Sequence, residues 1–268
     1  MPQQLSLHST LRDSDLNITL HTLSALSGMK PIVGLDHNIV WSIKHGAVGA
    51  ADVSQGEQYR ITMTASIEGA SQGTIAGYRE NQDGLRHLKW SLSISEIPEA
   101  GKRKVVSQTI LNATVVESDI FEFVSGLGYQ FDYEYWTRSY EFVFGDVVLK
   151  LYRLCVKDED NGSKEISAAG DQTVGDFSRN VLESSTIDEP MSLDANDDVS
   201  LRADIYNPLK LVDSSGRWAV KAYVDVRQLT DPEMVSATSQ LEKFQTDISA
   251  LFDLTVPDRN SFDTRIRR

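Results

Sequence analysis

One cysteine, seven prolines and no long apolar run are what this 268-residue chain has in short supply, and each scarcity excludes something. Cys155 alone cannot form an internal disulfide, and its place in the apolar run VVLKLYRLCV reads as a small buried hydrophobe. A reducing compartment, cytosol or nucleus, is expected. No stretch approaches the ~18–20 apolar residues that cross a bilayer. MPQQLSLHST lacks a basic region followed by an apolar core, so neither a membrane span nor a secretory leader is expected. Without a secretory route, the glycosylation-like triplets opened by Asn17, Asn112 and Asn161 are chance matches.

Basic charge is scarce too: 26 Lys and Arg face 39 Asp and Glu, a formal net charge of -13 that repels phosphate backbones. Direct nucleic-acid binding is therefore not expected. The deficit is uneven, because 13 acids and 4 bases fall between Lys157 and Asp204. That stretch, poor in aromatics and rich in Ser, Asp and Gly, reads as a disordered acidic insertion over 157–204. Seven of the 17 glycines fall between Gly46 and Gly84, which marks 46–84 as mobile connections around one strand. The whole, 1–268, reads as a single domain, and 40% hydrophobic residues suffice for its core.

What is abundant is period-two alternation. Leu5, Leu7 and Leu11 share a face, as do Ile39, Trp41 and Ile43, and then Ile61, Met63, Ala65 and Ile67. WSLSISEIPEAG sets Trp90, Leu92 and Ile94 against Ser91, Ser93 and Ser95 before Pro98 and Gly101 stop it. Further strands are expected over Lys104–Val116, in YQFDYEYWT and YEFVF, and in VVLKLYRLCV, with Gly145-Asp146 closing a tight hairpin. WAVKAYVDV puts Val220, Ala222, Val224 and Val226 on one side. Two helices frame the strands. Asp15–Ser27 carries Leu16, Leu20, Leu23 and Leu26 on a stripe between Ser14 as cap and Gly28 as terminator. The second begins at Asp231-Pro232 and repeats Met234, Ala237, Leu241, Phe244, Ile248 and Leu251. A short third helix is expected over Asp119–Ser125. The fold class is mainly β (α+β): an antiparallel β-barrel of about eight strands with two long flanking helices.

Signatures of chemistry are incomplete. Gly69-Ala70-Ser71-Gln72-Gly73 spells G-x-S-x-G, but no helix follows it. His8, His21, His37, His45 and His87 are scattered without metal-ligand spacing, and DEDNG from Asp158 departs from the calcium-loop pattern. There is no phosphate loop, and KRK at 102–104 and RIRR at 265–268 are too short to offset the acidic balance. Asp132 and Glu134 alternate with Phe131, Tyr133 and Tyr135, a pattern that could hold a divalent cation if it lined a hydrated barrel. With Leu, Ile, Val and Trp assigned to the inward faces, those acids are instead expected to face solvent.

Five segments, QQLSL, the helix ending in LSG, WSLSISEIPEAG followed by VSQTI, GLGYQFDYEY and VPDRNSFDTRI, lie in one order along the chain. Together they resemble the Mediator subunit 18 family in its fungal form. The resemblance implies a non-enzymatic β-barrel subunit of the Mediator head module, in the nucleus, without cofactor or metal. It implies pairing with Mediator subunit 20, capture of the carboxy-terminal helix of subunit 8, contact with other head subunits, and an indirect or transient link to RNA polymerase II. The family's barrel also resembles metal-dependent tripolyphosphate hydrolases of the tunnel type, which is the alternative reading. On the leading one, the apolar side of WSLSISEIPEAG fills the barrel and the serine side faces out. Candidate partner contacts are Ile18, Thr22 and Ala25 on the first helix, the aromatic set Tyr129, Tyr133 and Tyr135, and the tail residues Asp258, Arg259, Asp263 and Arg265.

Overall fold

A computed structural model of the chain describes residues 2–43, 59–67, 88–100, 103–115, 119–157, 209–227, 230–263 and 265. The chain divides into two compact units, one of Met1–Val156 with Leu211–Arg268, the other of Lys157–Lys210. The expected loose connections at 46–58 and 68–84, and the acidic insertion beyond Lys157, lie outside the described residues.

The strands are β1 (Gln3–Leu11), β2 (Ile32–Ile43), β3 (Ile61–Ser66), β4 (Trp90–Ser95), β5 (Val106–Thr114), β6 (Tyr129–Phe144), β7 (Val147–Lys157), β8 (Leu209–Leu211) and β9 (Trp218–Val226). Their spatial order is β6-β2-β3-β4-β5-β1-β9-β7-β8, and β6 also pairs with β7. Eight strands therefore close into an antiparallel barrel, which leaves no unpaired edge between β6 and β7. The β6–β7 hairpin turns at Gly145 and Asp146, with Phe144 opposite Val147 and Gly145 at φ 63°, a conformation that glycine adopts without strain.

Three helices accompany the barrel: α1 (Leu16–Ser27), α2 (Ile120–Gly126) and α3 (Asp231–Asp247). Gly28 ends α1 in the left-handed region, its N–H donating to Ser24. Ser14 does not cap it as expected; its hydroxyl donates to the Asp15 carboxylate. Asp119 caps α2 by accepting from the N–H groups of Phe121 and Glu122. Thr230, rather than Asp231, is the first boundary residue of α3. On α1, Leu16, Leu20 and Leu23 are buried, but Leu26 is 58% exposed and leaves the stripe.

The packing reverses one expectation. Leu16, Leu20 and Leu23 of α1 and Ala237, Leu241 and Phe244 of α3 share one buried cluster with Leu5, Leu7, Phe142, Leu149, Leu151, Val220, Ala222 and Val224 of the strands. A second cluster joins Ile120 and Val124 of α2 to Ile39, Trp41, Ile61, Met63, Ala65 and Trp90. An eight-stranded barrel has an interior only wide enough for side chains, so the helices lie outside it. The apolar faces they cover must then be the outer ones. Residues directly opposite in an antiparallel ladder share a face. Following that rule around the ring, the inner face carries Gln4, Ser6 and His8, then Lys221 and Tyr223, Lys150 and Tyr152, Ser139 and Glu141, Asp36 and Asn38, Thr62 and Thr64, and Ser91 and Ser93. WSLSIS thus presents its serines to the lumen and Trp90, Leu92 and Ile94 to the helix-covered side. A lumen of hydrocarbon is corrected to a mainly polar lumen of hydroxyls, amides and a few charges, with Val40, Val106 and Val148 on the same face.

Candidate functional site

One lumen row runs across four strands: His8 lies opposite Lys221, Lys221 opposite Lys150, and Lys150 opposite Glu141. Lys150 Nζ donates to Glu141 at 2.7 Å and lies 3.5 Å from Asp36, so one ammonium holds two carboxylates. These three side chains keep 23%, 28% and 19% of their surface accessible, so solvent reaches them. Burial pushes the Asp36 carboxyl above its ordinary value, against the pull of Lys150. For Lys150, its carboxylate partners outweigh burial and raise the ammonium.

The other half of the row is differently balanced. Lys221 Nζ donates to Gln4 Oε1, while Gln4 Nε2 donates to Asp225 Oδ1 at 2.8 Å, so an amide stands between cation and carboxylate. Burial pulls the Lys221 ammonium down to about 8, and the field of Lys150 adds to the pull while Asp225 opposes it. His8 is lowered to about 4, first by burial and then by the charge of Lys221. Above this row Tyr223 is pushed up to about 12 by burial, with Glu141 and Asp225 adding to it.

Among the described residues no group of three or more His, Cys, Asp or Glu is placed to hold an ion. Asp132 pairs with Arg60 at 3.1 Å, and Glu134 lies 3.0 Å from Nε2 of the buried His37, whose ring stacks on Trp136 at 4.5 Å. His21 sits exposed on α1. Gly69–Gly73, DEDNG, His45 and His87 lie outside the described residues.

The aromatic candidates do not form a set. A bulge between Val40 and Trp41 shifts the pairing so that Tyr133 lies opposite Val40 but Phe131 opposite Trp41. Tyr133 and Tyr135 consequently share the lumen face, rings 6.2 Å apart, whereas Tyr129 packs outside on the α2 cluster. Burial pushes Tyr135 up to about 12. On α1, Ile18 is 69% exposed, Ala25 is exposed, and the half-buried Thr22 hydroxyl donates to the Ile18 carbonyl.

The tail candidates are tied to the barrel's own rim. Thr255 bridges His8 in an antiparallel pair, and the Phe262 ring meets the His8 ring edge-on at 5.1 Å. Arg259 Nε donates to the Pro98 carbonyl at 2.6 Å, and Arg265 bridges Tyr59 while pairing with Asp263 at 2.9 Å. Asp258 accepts from the Asn260 N–H and starts the turn that positions Arg259.

One feature the sequence reading did not single out is an outer cleft of about 530 Å³ between the end of α1, the β6–β7 hairpin and α3. Leu26, Phe144, Val147, Phe244 and Ile248 supply its apolar wall, with Asp146, Gln240, Lys243 and Asp247 among its polar lining. Leu26 was its legible signal, an apolar residue on the helix stripe with no strand left to cover it.

Comparison with known proteins gives a consistent result. Residues 3–265 match the family model described as Med18 protein. Mediator of RNA polymerase II transcription subunit 18 of Yarrowia lipolytica is 34% identical over 275 residues, covering 99% of this chain and 100% of that protein. The protein of the same name from Kluyveromyces lactis is 25% identical over 297 residues, covering 99% and 98%. Among solved structures, a chain of the Schizosaccharomyces pombe Mediator head module superposes with a TM-score of 0.66 at 18% identity, over 95% of this chain and 98% of that one, a likeness of fold.

Proposed function

The chain belongs to the Med18 family, and on that premise we propose that it is a non-enzymatic structural subunit of the Mediator head module, working in the nucleus to couple regulators to RNA polymerase II. It pairs with Mediator subunit 20 and captures the carboxy-terminal helix of subunit 8. The observation that carries this reading is the 34% identity with a Mediator subunit 18 over the full length of both chains. Two features of the molecule support it. The lumen acids Asp36 and Glu141 are both engaged by Lys150, and Asp225 by Gln4, so they do not converge on a free catalytic centre. Apolar side chains that a partner could cover lie outside: Ile18 on α1, and Leu26 on the rim of the cleft beside α3.

A partner helix docks by laying an apolar stripe into a groove, and the cleft lined by Leu26, Phe144 and Phe244 offers such a groove. Thr22 and Ala25 of α1, the tyrosines Tyr129, Tyr133 and Tyr135, and the tail residues Asp258, Arg259, Asp263 and Arg265 are the further candidate contacts. The test is co-expression with subunits 8 and 20. A stoichiometric trimer is the expected result, and a Leu26→Asp chain is expected to recover subunit 8 at least tenfold less well while retaining its own fold by circular dichroism. Failure of the unaltered chain to enter a trimer would overturn the proposal. Magnesium- or manganese-dependent phosphate release lost in Asp132→Ala would favour the tunnel hydrolase instead.

A further inference from the structure

We propose that the tail from residue 255 onward is a releasable strap, which fills in place of a strand an edge that β1 leaves open and, on lifting, yields that edge to an extended segment of a partner chain. β1 pairs with β9 along its whole length, Gln3 to Leu11, but with β5 from Gln3 to Ser6 alone. Past Ser6 that second edge passes to the tail. His8 and Thr255 exchange both backbone hydrogen bonds, at 2.9 and 2.8 Å, and the Thr255 hydroxyl lies 3.4 Å from the same His8 carbonyl. Successive residues of a strand aim their backbone groups to opposite sides, so those of Leu7 face β9 while those of His8 face the tail. The ring of eight strands is complete without this bridge, so the tail can leave without opening the barrel.

The tail is held as a strap is, by a hinge, a clasp and little between. Phe252 and Leu254 are buried in the larger cluster, and the Leu254 carbonyl accepts from Gln245 Nε2 of α3 at 2.6 Å, which fixes the hinge. Beyond it, every residue from Thr255 to Ser261 except Pro257 is exposed. Arg259 reaches the Pro98 carbonyl, Phe262 meets the His8 ring edge-on, and the clasp is Arg265, bridged to Tyr59 and paired with Asp263. A cavity of about 190 Å³ stays open beneath the strap, walled by Pro98, Val105, Val106, Val256, Pro257 and Phe262, so little apolar contact glues it down. Segments with few buried apolar contacts open far more cheaply than the whole domain.

The strap itself shows what the edge accepts: an extended strand with apolar residues on both sides of the one opposite His8, as Leu254 and Val256 flank Thr255. Added strands gain affinity from backbone hydrogen bonds and specificity from side-chain pockets. Lifting Val256, Pro257 and Phe262 leaves Pro98, Val105 and Val106 as such a pocket beside the freed edge. The strap and its edge belong to this chain alone, so the Mediator role stands or falls independently.

The experiment is amide hydrogen exchange on the full chain, read residue by residue by NMR, with a parallel titration by a fluorescein-labelled peptide of residues 252–263. His8 and Thr255 are expected to lose protection together, about tenfold or more faster than Leu7. In Phe262→Ala, and independently in Arg259→Ala, both are expected to quicken about tenfold further while Leu7 holds, which shows that the barrel stays folded. The peptide is expected to bind both variants saturably and the unaltered chain about tenfold more weakly, because the strap competes in the unaltered chain. Exchange of His8, Thr255 and Leu7 at one rate, or a peptide that binds no better once the strap is loosened, would overturn the proposal. Dimerisation of the variants in place of peptide binding would overturn it too, by giving the edge to a second copy.

Discussion

Trp90→Ala is expected to lower the unfolding free energy by about 3–5 kcal/mol, the usual loss when a fully buried aromatic is truncated. Trp90 is 1% exposed and sits in the smaller of the two outer clusters. Its ring meets Phe121 of α2 edge-on at 5.7 Å and the buried His37 ring at 5.6 Å. Few neighbours are available to collapse into the space, because the strand backbone on one side is fixed by the ladders to β3 and β5. Domains of this kind hold a margin of about 5–15 kcal/mol, so this one substitution removes a large share. Chemical denaturation measures it. A shift of the midpoint worth less than about 1 kcal/mol would show that Trp90 is not a keystone of the α2 side.

Acid is expected to have the second large effect, through His8. In the folded chain His8 takes a proton only near pH 4, against about 6.5 when unfolded. Between those values the unfolded chain binds the proton more readily, so stability falls as pH drops through 6.5 and the loss is complete by about pH 4. The shift corresponds to about 3 kcal/mol at its limit. Asp36, whose carboxyl burial has raised, acts in the opposite sense over the carboxylate range and reduces the net loss. His8→Gln isolates the histidine: the slope of stability against pH between 6.5 and 4 is expected to flatten, and an unchanged slope would refute the assignment.

Most elements were legible because two periodicities repeat cleanly. Val220, Ala222, Val224 and Val226 are all buried, as alternation predicts, and Gly145-Asp146 forms the hairpin that glycine's backbone freedom suggests. Which face curves inward was not legible. Alternation defines two faces but carries no sign of curvature, and the apolar one was assigned to the lumen on the assumption that a core is central. The outer helices decide the matter, since Leu20, Leu23, Leu241 and Phe244 require an apolar wall beneath them. A cue existed in the other face: Ser91, Ser93, Thr62 and Thr64 are small hydroxyls, which suit a confined space better than open solvent, where longer charged side chains dominate. The site candidates suffered from a subtler break. Tyr129, Tyr133 and Tyr135 share a parity, yet the bulge opposite Val40 and Trp41 inverts the phase between the first and the other two. Nothing in YQFDYEY marks that extra residue.

Ring closure also imposes an order on biogenesis. The earliest of the eight barrel strands in chain order, Gln3 to Leu11, lies between β5 and β9, and its longest partner spans Trp218 to Val226. Until those late residues emerge, the N-terminal strand has one flank without its ladder, and the tail that fastens Thr255 to His8 comes later still. Closure therefore waits for the last barrel strand, and the nascent barrel carries an open sheet edge until it arrives, the interval in which a chaperone has something to hold.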